Sequence, residues 1–170
     1  WLDRYESEPR WLLALAFFWG AIPAVIFAVP FETIFDDVLY SVAGNSAFSD
    51  ALSIGVSPPL FEELAKGLFL FVLLWLFRKH FDGPLDGIIY GGMVGFGFAM
   101  SEDIFAYFIP ILDAEGTGAG LFNIFLRTVV FGLNHAFFTS LTGLGLGLAR
   151  LSRDTLARGL LAVTGLGAAM

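Results

Sequence analysis

In a chain of 170 residues that is 57% hydrophobic and 15% charged, with mean hydropathy +0.78, a soluble core has no room for the apolar side chains, so the composition specifies an integral membrane protein. A formal net charge of −7, with no basic run longer than Arg78-Lys79, argues against nucleic acid and against anionic lipid as partners. The absence of cysteine excludes disulfides, thiolate catalysis and Cys-ligated metal, and with two histidines and no HExxH pattern the commonest zinc-protease helix is missing as well.

The chain opens on a mixed-charge stretch and then enters an apolar segment, 11–31, long enough to cross a bilayer core of roughly 30 Å. It has no signal-peptide cleavage pattern and reads as a retained span, with Pro23 as a candidate kink. From Phe31 to Ser57 the sequence turns acidic and small, with Glu32, Asp36, Asp37 and Asp50 and no Lys or Arg. The stretch 31–39 is expected as a short interfacial helix and the rest, Gly44 to Ser46 included, as loop. Ser57 followed by Pro58 then predicts an N-cap and a proline in the first helical turn, so a second span runs over 58–77 and ends at Arg78-Lys79-His80.

After a turn at Asp82-Gly83-Pro84, a third span covers 85–109 and is expected to stop at Pro110. Gly91 and Gly95 lie four apart on it, a small-residue face for close approach of another helix. Residues 113–120 read as a second acidic loop. A fourth span over 121–149, charge-free from Thr128 onward, ends at Arg150 and Arg153, and a fifth apolar run over 156–170 stops at Met170. The expected fold is therefore an all-α polytopic transmembrane bundle of about five spans, forming one membrane-embedded domain over 1–170. It begins at Trp1 and stops inside an apolar run, so the chain reads as cut at both ends. Basic residues gather on one side of this path, and the positive-inside rule makes that side cytoplasmic.

Glu62, Glu63 and Lys66 lie inside the second span, where a charge costs roughly 2.5–3.5 kcal/mol on insertion scales. At 1.5 Å rise per residue Glu62 lies about 6 Å below the non-cytoplasmic surface, Glu102 roughly 8–11 Å and His135 about 12 Å. Three spans thus deliver carboxylates and an imidazole to one layer. Lys66 is spaced to reach either Glu62 or Glu63, and one glutamate is expected to stay free. Glu102 shares a face with Gly91, Gly95 and Phe98; His135, with Thr128, Thr139 and Thr142, forms an inward polar stripe beside Asn134. Asp103 is expected to face the lumen or pair with Lys66. Arg127, Lys79 and Arg150 read as rim anchors.

Four segments in this order resemble the PrsW family of intramembrane proteases, relatives of the CAAX prenyl endopeptidases and bacterial self-immunity proteases. Residues 2–9 are similar to its acidic, proline-ending stretch, 59–67 with Glu62, Glu63 and Lys66 to its EExxK motif, 86–103 to its glycine-rich helix ending in FxxxE, and 127–143 to its histidine helix. The resemblance implies an intramembrane endopeptidase of a prokaryotic cell membrane, hydrolysing a peptide bond of a membrane-anchored protein such as an anti-sigma factor near the outer face. It also implies Glu62, Glu63, Glu102 and His135 as the catalytic set, supported by Lys66, Asp103, Asn134 and Thr139. His135 and Glu102 are the implied metal ligands; a zinc ion and a metal-free glutamate mechanism both stay open. The position after Glu102, commonly Asn in the family, is Asp103 here, and the chain stops before the family's last helix, which carries a further His with Asn nearby, so the implied ligand set is incomplete as given. The alternatives from other classes are a proton- or cation-coupled transporter or channel bundle, a CAAX-type endopeptidase, and a non-catalytic scaffold.

Overall fold

Long apolar runs in lipid must satisfy their own backbone N–H and C=O groups, and the helix does this within one segment. In the computed structural model, which describes residues 8–170, the chain forms helices and, among the described residues, no strand. They are α1 (Arg10–Ala43), α2 (Ala47–Gly55), α3 (Ser57–Leu76), α4 (Pro84–Glu115), α5 (Thr117–Phe125), α6 (Asn134–Leu151) and α7 (Thr155–Ala169). Three helical runs, Arg10–Ala43, Pro84–Glu115 and Thr117–Leu151, are long and apolar enough to cross a membrane. The 20-residue α3, about 30 Å long, has the length as well and carries Glu62, Glu63 and Lys66. The expected acidic stretch before the first span lies outside the described residues up to Ser7; its Glu8 accepts a hydrogen bond from the Tyr90 hydroxyl on α4.

Several boundaries differ from those expected, each for a local reason. The region over 31–39 is not a separate interfacial helix: α1 continues through it, because Pro23 falls in a π-helical turn, Gly20–Ala24, that carries the chain past the proline. Nor is the remainder all loop, since the Ser46 side chain accepts a hydrogen bond from Ser49 N at 3.2 Å and starts α2. Ser57 is not the N-cap of α3; Val56 holds that position without a side-chain bond, and the Ser57 Oγ is buried with no partner among the described residues. Pro110 does not end the third span. It sits in the first turn of the segment Ile109–Glu115, where a missing N–H is tolerated, directly after a π-helical run, Glu102–Phe108. The second acidic loop shrinks to Gly116, at φ 88, between α4 and α5. The fourth span is interrupted: a π turn, Leu126–Val130, and a non-helical turn at 131–133 separate α5 from α6.

Glycine sets the distance between the site-bearing helices. A Cβ on Gly95 would lie 2.4 Å from the His135 carbonyl oxygen, and one on Gly87 would lie 2.0 Å from that of Gly143, so α4 and α6 touch backbone to backbone. On the other face of α4, a Cβ on Gly97 would lie 1.9 Å from the Phe17 carbonyl of α1. Hydrogen bonds cross the same seams, from Ser101 Oγ to the Ala21 carbonyl at 2.5 Å and from Ser140 Oγ to the Ile88 carbonyl at 3.0 Å. The α3 helix is held to α1 by the Trp19 indole, which donates to the Ala65 carbonyl at 3.1 Å and stacks on Phe69.

Gly95→Ala is expected to lower stability by about 1–3 kcal/mol, because the obstructing atom is backbone and cannot rotate away. Gly118→Ala on α5, where the added Cβ meets nothing within 4 Å, serves as the control. Thermal unfolding in detergent compares the two, and equal melting temperatures would refute the backbone contact at Gly95.

Candidate active site

The first turns of α3 present Glu62, Glu63 and Lys66 at helical spacing, so all three side chains converge. Lys66 has three donors and uses them on three groups. Its Nζ lies 2.6 Å from Glu63 Oε1, 3.2 Å from Glu62 Oε2 and 3.0 Å from His135 Nδ1. The lysine thus serves both glutamates, and neither is left free as the spacing argument expected. The pair that lies deepest is Lys66 and Glu63, at 0% and 3% exposure. Thr139 of α6, fully buried, also donates to Glu63, at 3.1 Å to Oε2. Glu62 is the more open of the two acids, its side chain 13% exposed.

An ammonium offers only donors, so His135 Nδ1 accepts from Lys66 and the ring proton resides on Nε2. That Nε2–H donates to Glu102 Oε2 at 2.9 Å. Glu62 Oε2 lies 3.6 Å from His135 Nδ1, so the imidazole stands between the carboxylates of α3 and α4. Phe98, the aromatic one turn before Glu102, closes the apolar side: its ring lies 4.1 Å from Lys66 Nζ and 5.3 Å from the His135 ring. Such a face is favourable for a cation withdrawn from water.

Glu102 and Asp103 open the π-helical run of α4. Both bind Arg127, through Nη2 to Glu102 Oε2 at 2.7 Å and through Nε to Asp103 Oδ1 at 2.6 Å. Asp103 therefore pairs with Arg127 and not with Lys66. Nor is Arg127 a rim anchor: its guanidinium lies 3.5 Å from the Tyr107 ring centroid and beside the site carboxylates. It belongs to the π turn Leu126–Val130, and π turns recur where function needs a side chain redirected. A cavity of about 700 Å³ opens onto Glu62, Glu63, Glu102, His135, Asn134 and Arg127. Asn134 meets it at the start of α6. Of the threonine stripe, Thr139 and Thr142 are fully buried, the Thr142 hydroxyl with no hydrogen-bond partner among the described residues, while Thr128 lies beyond the turn at 131–133. Glu32, from the stretch read as interfacial, lines an adjoining cavity with Glu62 and Glu102.

His135 and Glu102 are the side chains implied as metal ligands. In this arrangement both imidazole nitrogens are already engaged, one lone pair by Lys66 and one proton by Glu102, and the Glu102 oxygen that meets His135 also meets Arg127. Among the described residues no group of three His, Cys, Asp or Glu side chains is arranged to hold a metal ion. A zinc centre takes at least three protein ligands, and His135 and Glu102 supply two.

A helical membrane protein whose glutamates and histidine line one cavity, with a buried lysine bonded to them, has the parts of an acid–base site. The chain belongs to the PrsW family of intramembrane metalloproteases, whose family profile matches residues 8–170. It is 32% identical over 153 residues to Protease PrsW of Bacillus subtilis, covering 89% of this chain and 62% of that protein. Against Protease PrsW of Geobacillus kaustophilus it is 27% identical over 151 residues, covering 88% of this chain and 59% of the relative. The Oceanobacillus iheyensis Protease PrsW is 29% identical over 149 residues, with 85% and 59% covered. The chain thus spans about three-fifths of the length of these curated relatives. No solved structure matches it.

Proposed function

We propose that this chain carries the catalytic centre of an intramembrane endopeptidase that cleaves a membrane-anchored protein, with Glu62 activating the attacking water. The observation that carries this reading is the division between the two acids. Glu63 is buried against Lys66 and Thr139, and Glu62 faces the cavity next to the His135–Glu102 pair. Glu62 takes a proton from water as the oxygen adds to the peptide carbonyl, then returns it to the departing amine, so the site ends as it began. The Arg127 guanidinium, which keeps N–H donors beyond those it gives Glu102 and Asp103, is the donor assigned to the oxyanion that forms between those steps. Glu63 and Lys66 hold the charge balance that keeps Glu62 in place. The site lies at the end of the bundle away from Arg78, Arg150 and Arg153, which supports cleavage near the outer face of a prokaryotic cell membrane. A membrane-anchored regulator such as an anti-sigma factor is the substrate class to try first.

The metalloprotease description of the family favours a second reading, in which His135 and Glu102 contribute to a zinc site. That reading requires Lys66 and Arg127 to withdraw from them and a further donor to join. The test uses the full-length protein, co-expressed with a membrane-anchored reporter and purified for elemental analysis. Cleavage of the reporter with negligible zinc supports the glutamate mechanism, whereas about one zinc per chain replaces it with the metal reading. A reporter panel left intact by the well-expressed protein would remove the protease assignment.

A further inference from the structure

Three arginines from two separate stretches of sequence meet at the end of the bundle opposite the candidate active site. Arg78 follows α3, Arg150 ends α6 and Arg158 lies in the first turn of α7. They surround an apolar cavity of about 520 Å³ whose walls include Leu74, Trp75 and Leu146. Among the described residues no carboxylate lines it. Two of the guanidinium groups are positioned by backbone carbonyls, with Arg150 Nη2 donating to the Arg78 carbonyl at 2.9 Å and Arg158 Nε to the Ser152 carbonyl at 2.6 Å. Neutral acceptors orient these cations without cancelling their charge. The Arg150 Nε is buried and has no hydrogen-bond partner among the described residues, a state that costs free energy unless a ligand supplies the acceptor.

We propose that this cavity binds an anionic phospholipid, its phosphodiester oxygens meeting Arg78, Arg150 and Arg158 and an acyl chain lying along Leu74 and Trp75. Basic pockets between helices at the cytoplasmic rim are suited to such headgroups. Trp75 is 76% exposed, and indole rings favour the headgroup level of a membrane. Free phosphate would use the guanidinium groups and leave the apolar walls unfilled, so the chemistry of the whole cavity favours the lipid. The overall charge of −7 conceals this site, because folding brings Arg78 beside Arg150 and Arg158 from a separate stretch of sequence.

Native mass spectrometry of the full-length protein, released from micelles containing equal phosphatidylglycerol and phosphatidylcholine of the same acyl chains, tests the proposal. Phosphatidylglycerol is expected to be retained in preference. Each arginine near a headgroup is worth about fivefold in affinity, so Arg78→Gln with Arg158→Gln weakens phosphatidylglycerol binding about 25-fold. The control pair, Lys79→Gln with Arg153→Gln, removes the same charge from the same rim outside the cavity and is expected to leave that preference intact. Equal retention of the two lipids by the wild-type protein overturns the site. So does an equal loss in the control pair, which would mean diffuse surface charge, or displacement by millimolar inorganic phosphate, which would mean an anion site without lipid. Should the double variant fail to elute as a single species, the wild-type comparison of the two lipids decides.

Discussion

Glu62→Gln in the full-length protein is expected to reduce reporter cleavage by about 10²–10⁴-fold, the range that loss of a general base produces. The amide keeps the size and one acceptor oxygen of the carboxylate, so the contact with Lys66 at 3.2 Å can persist. What it loses is the capacity to take a proton from water. Expression and helical content should therefore match the wild type, and the defect should lie in turnover. His135→Ala is expected to be as inactive for a different reason: it removes the ring that links Glu102 to Lys66. Cleavage by Glu62→Gln within a few-fold of wild type would transfer the base role to Glu63, and full activity in both variants would sink the proposed site. A transporter reading predicts instead that both variants alter ion or proton flux and that no reporter is cut at any stage.

The layer of Glu62, Glu102 and His135 was legible because it needs only alternation of spans and the rise of a helix, both insensitive to side-chain detail. The glycine face on the third span was legible for a similar reason: a Cβ-free stripe has one use in a bundle, and Gly95 meets the His135 backbone along it. Arg127 was hidden because an arginine near a helix end in a membrane usually reaches for the rim. Its actual direction depends on the π turn Leu126–Val130 and the break at 131–133, which no hydrophobic period announces. A signal did exist in the adjacent acids Glu102 and Asp103. Neither has a cation on its own helical run, and a pair withdrawn from water needs one from elsewhere. Ser46 and Ser49 were likewise a helix start hidden inside a stretch read as loop, since small polar residues favour both outcomes. The alternation of spans put the basic residues on one side of the bundle, but that Arg78, Arg150 and Arg158 line one cavity there depends on how the ends of α3 and α6 and the beginning of α7 pack together.

Lys66→Met is expected to destabilise the protein by about 3–5 kcal/mol, the cost of breaking a buried ion pair and leaving its partner uncompensated. The methionine keeps the apolar stem of lysine and removes the ammonium that pairs with both acids and lies over the Phe98 ring, so the loss is chiefly electrostatic. Two carboxylates share this ammonium, and Glu63, at 3% exposure, has least access to water as a substitute. The variant Glu63→Gln with Lys66→Met is therefore expected to recover more than half of the lost stability, because the charge left stranded has been removed. Glu62→Gln with Lys66→Met should recover less, since the Glu62 side chain, 13% exposed against 4% for Glu63, is the one that water can reach. Thermal unfolding of the four proteins in one detergent measures the ranking. A Lys66→Met protein as stable as wild type would mean that the two acids are not held as charges by the lysine. The division of labour between a buried positioning glutamate and a more open basic one would then lose its support. Rescue by Glu62→Gln exceeding that by Glu63→Gln would reverse the roles of the two acids while keeping the site. This ranking separates the two glutamates by a measurement that needs no substrate, and so it holds whether or not the reporter chosen for the cleavage assay is a natural one.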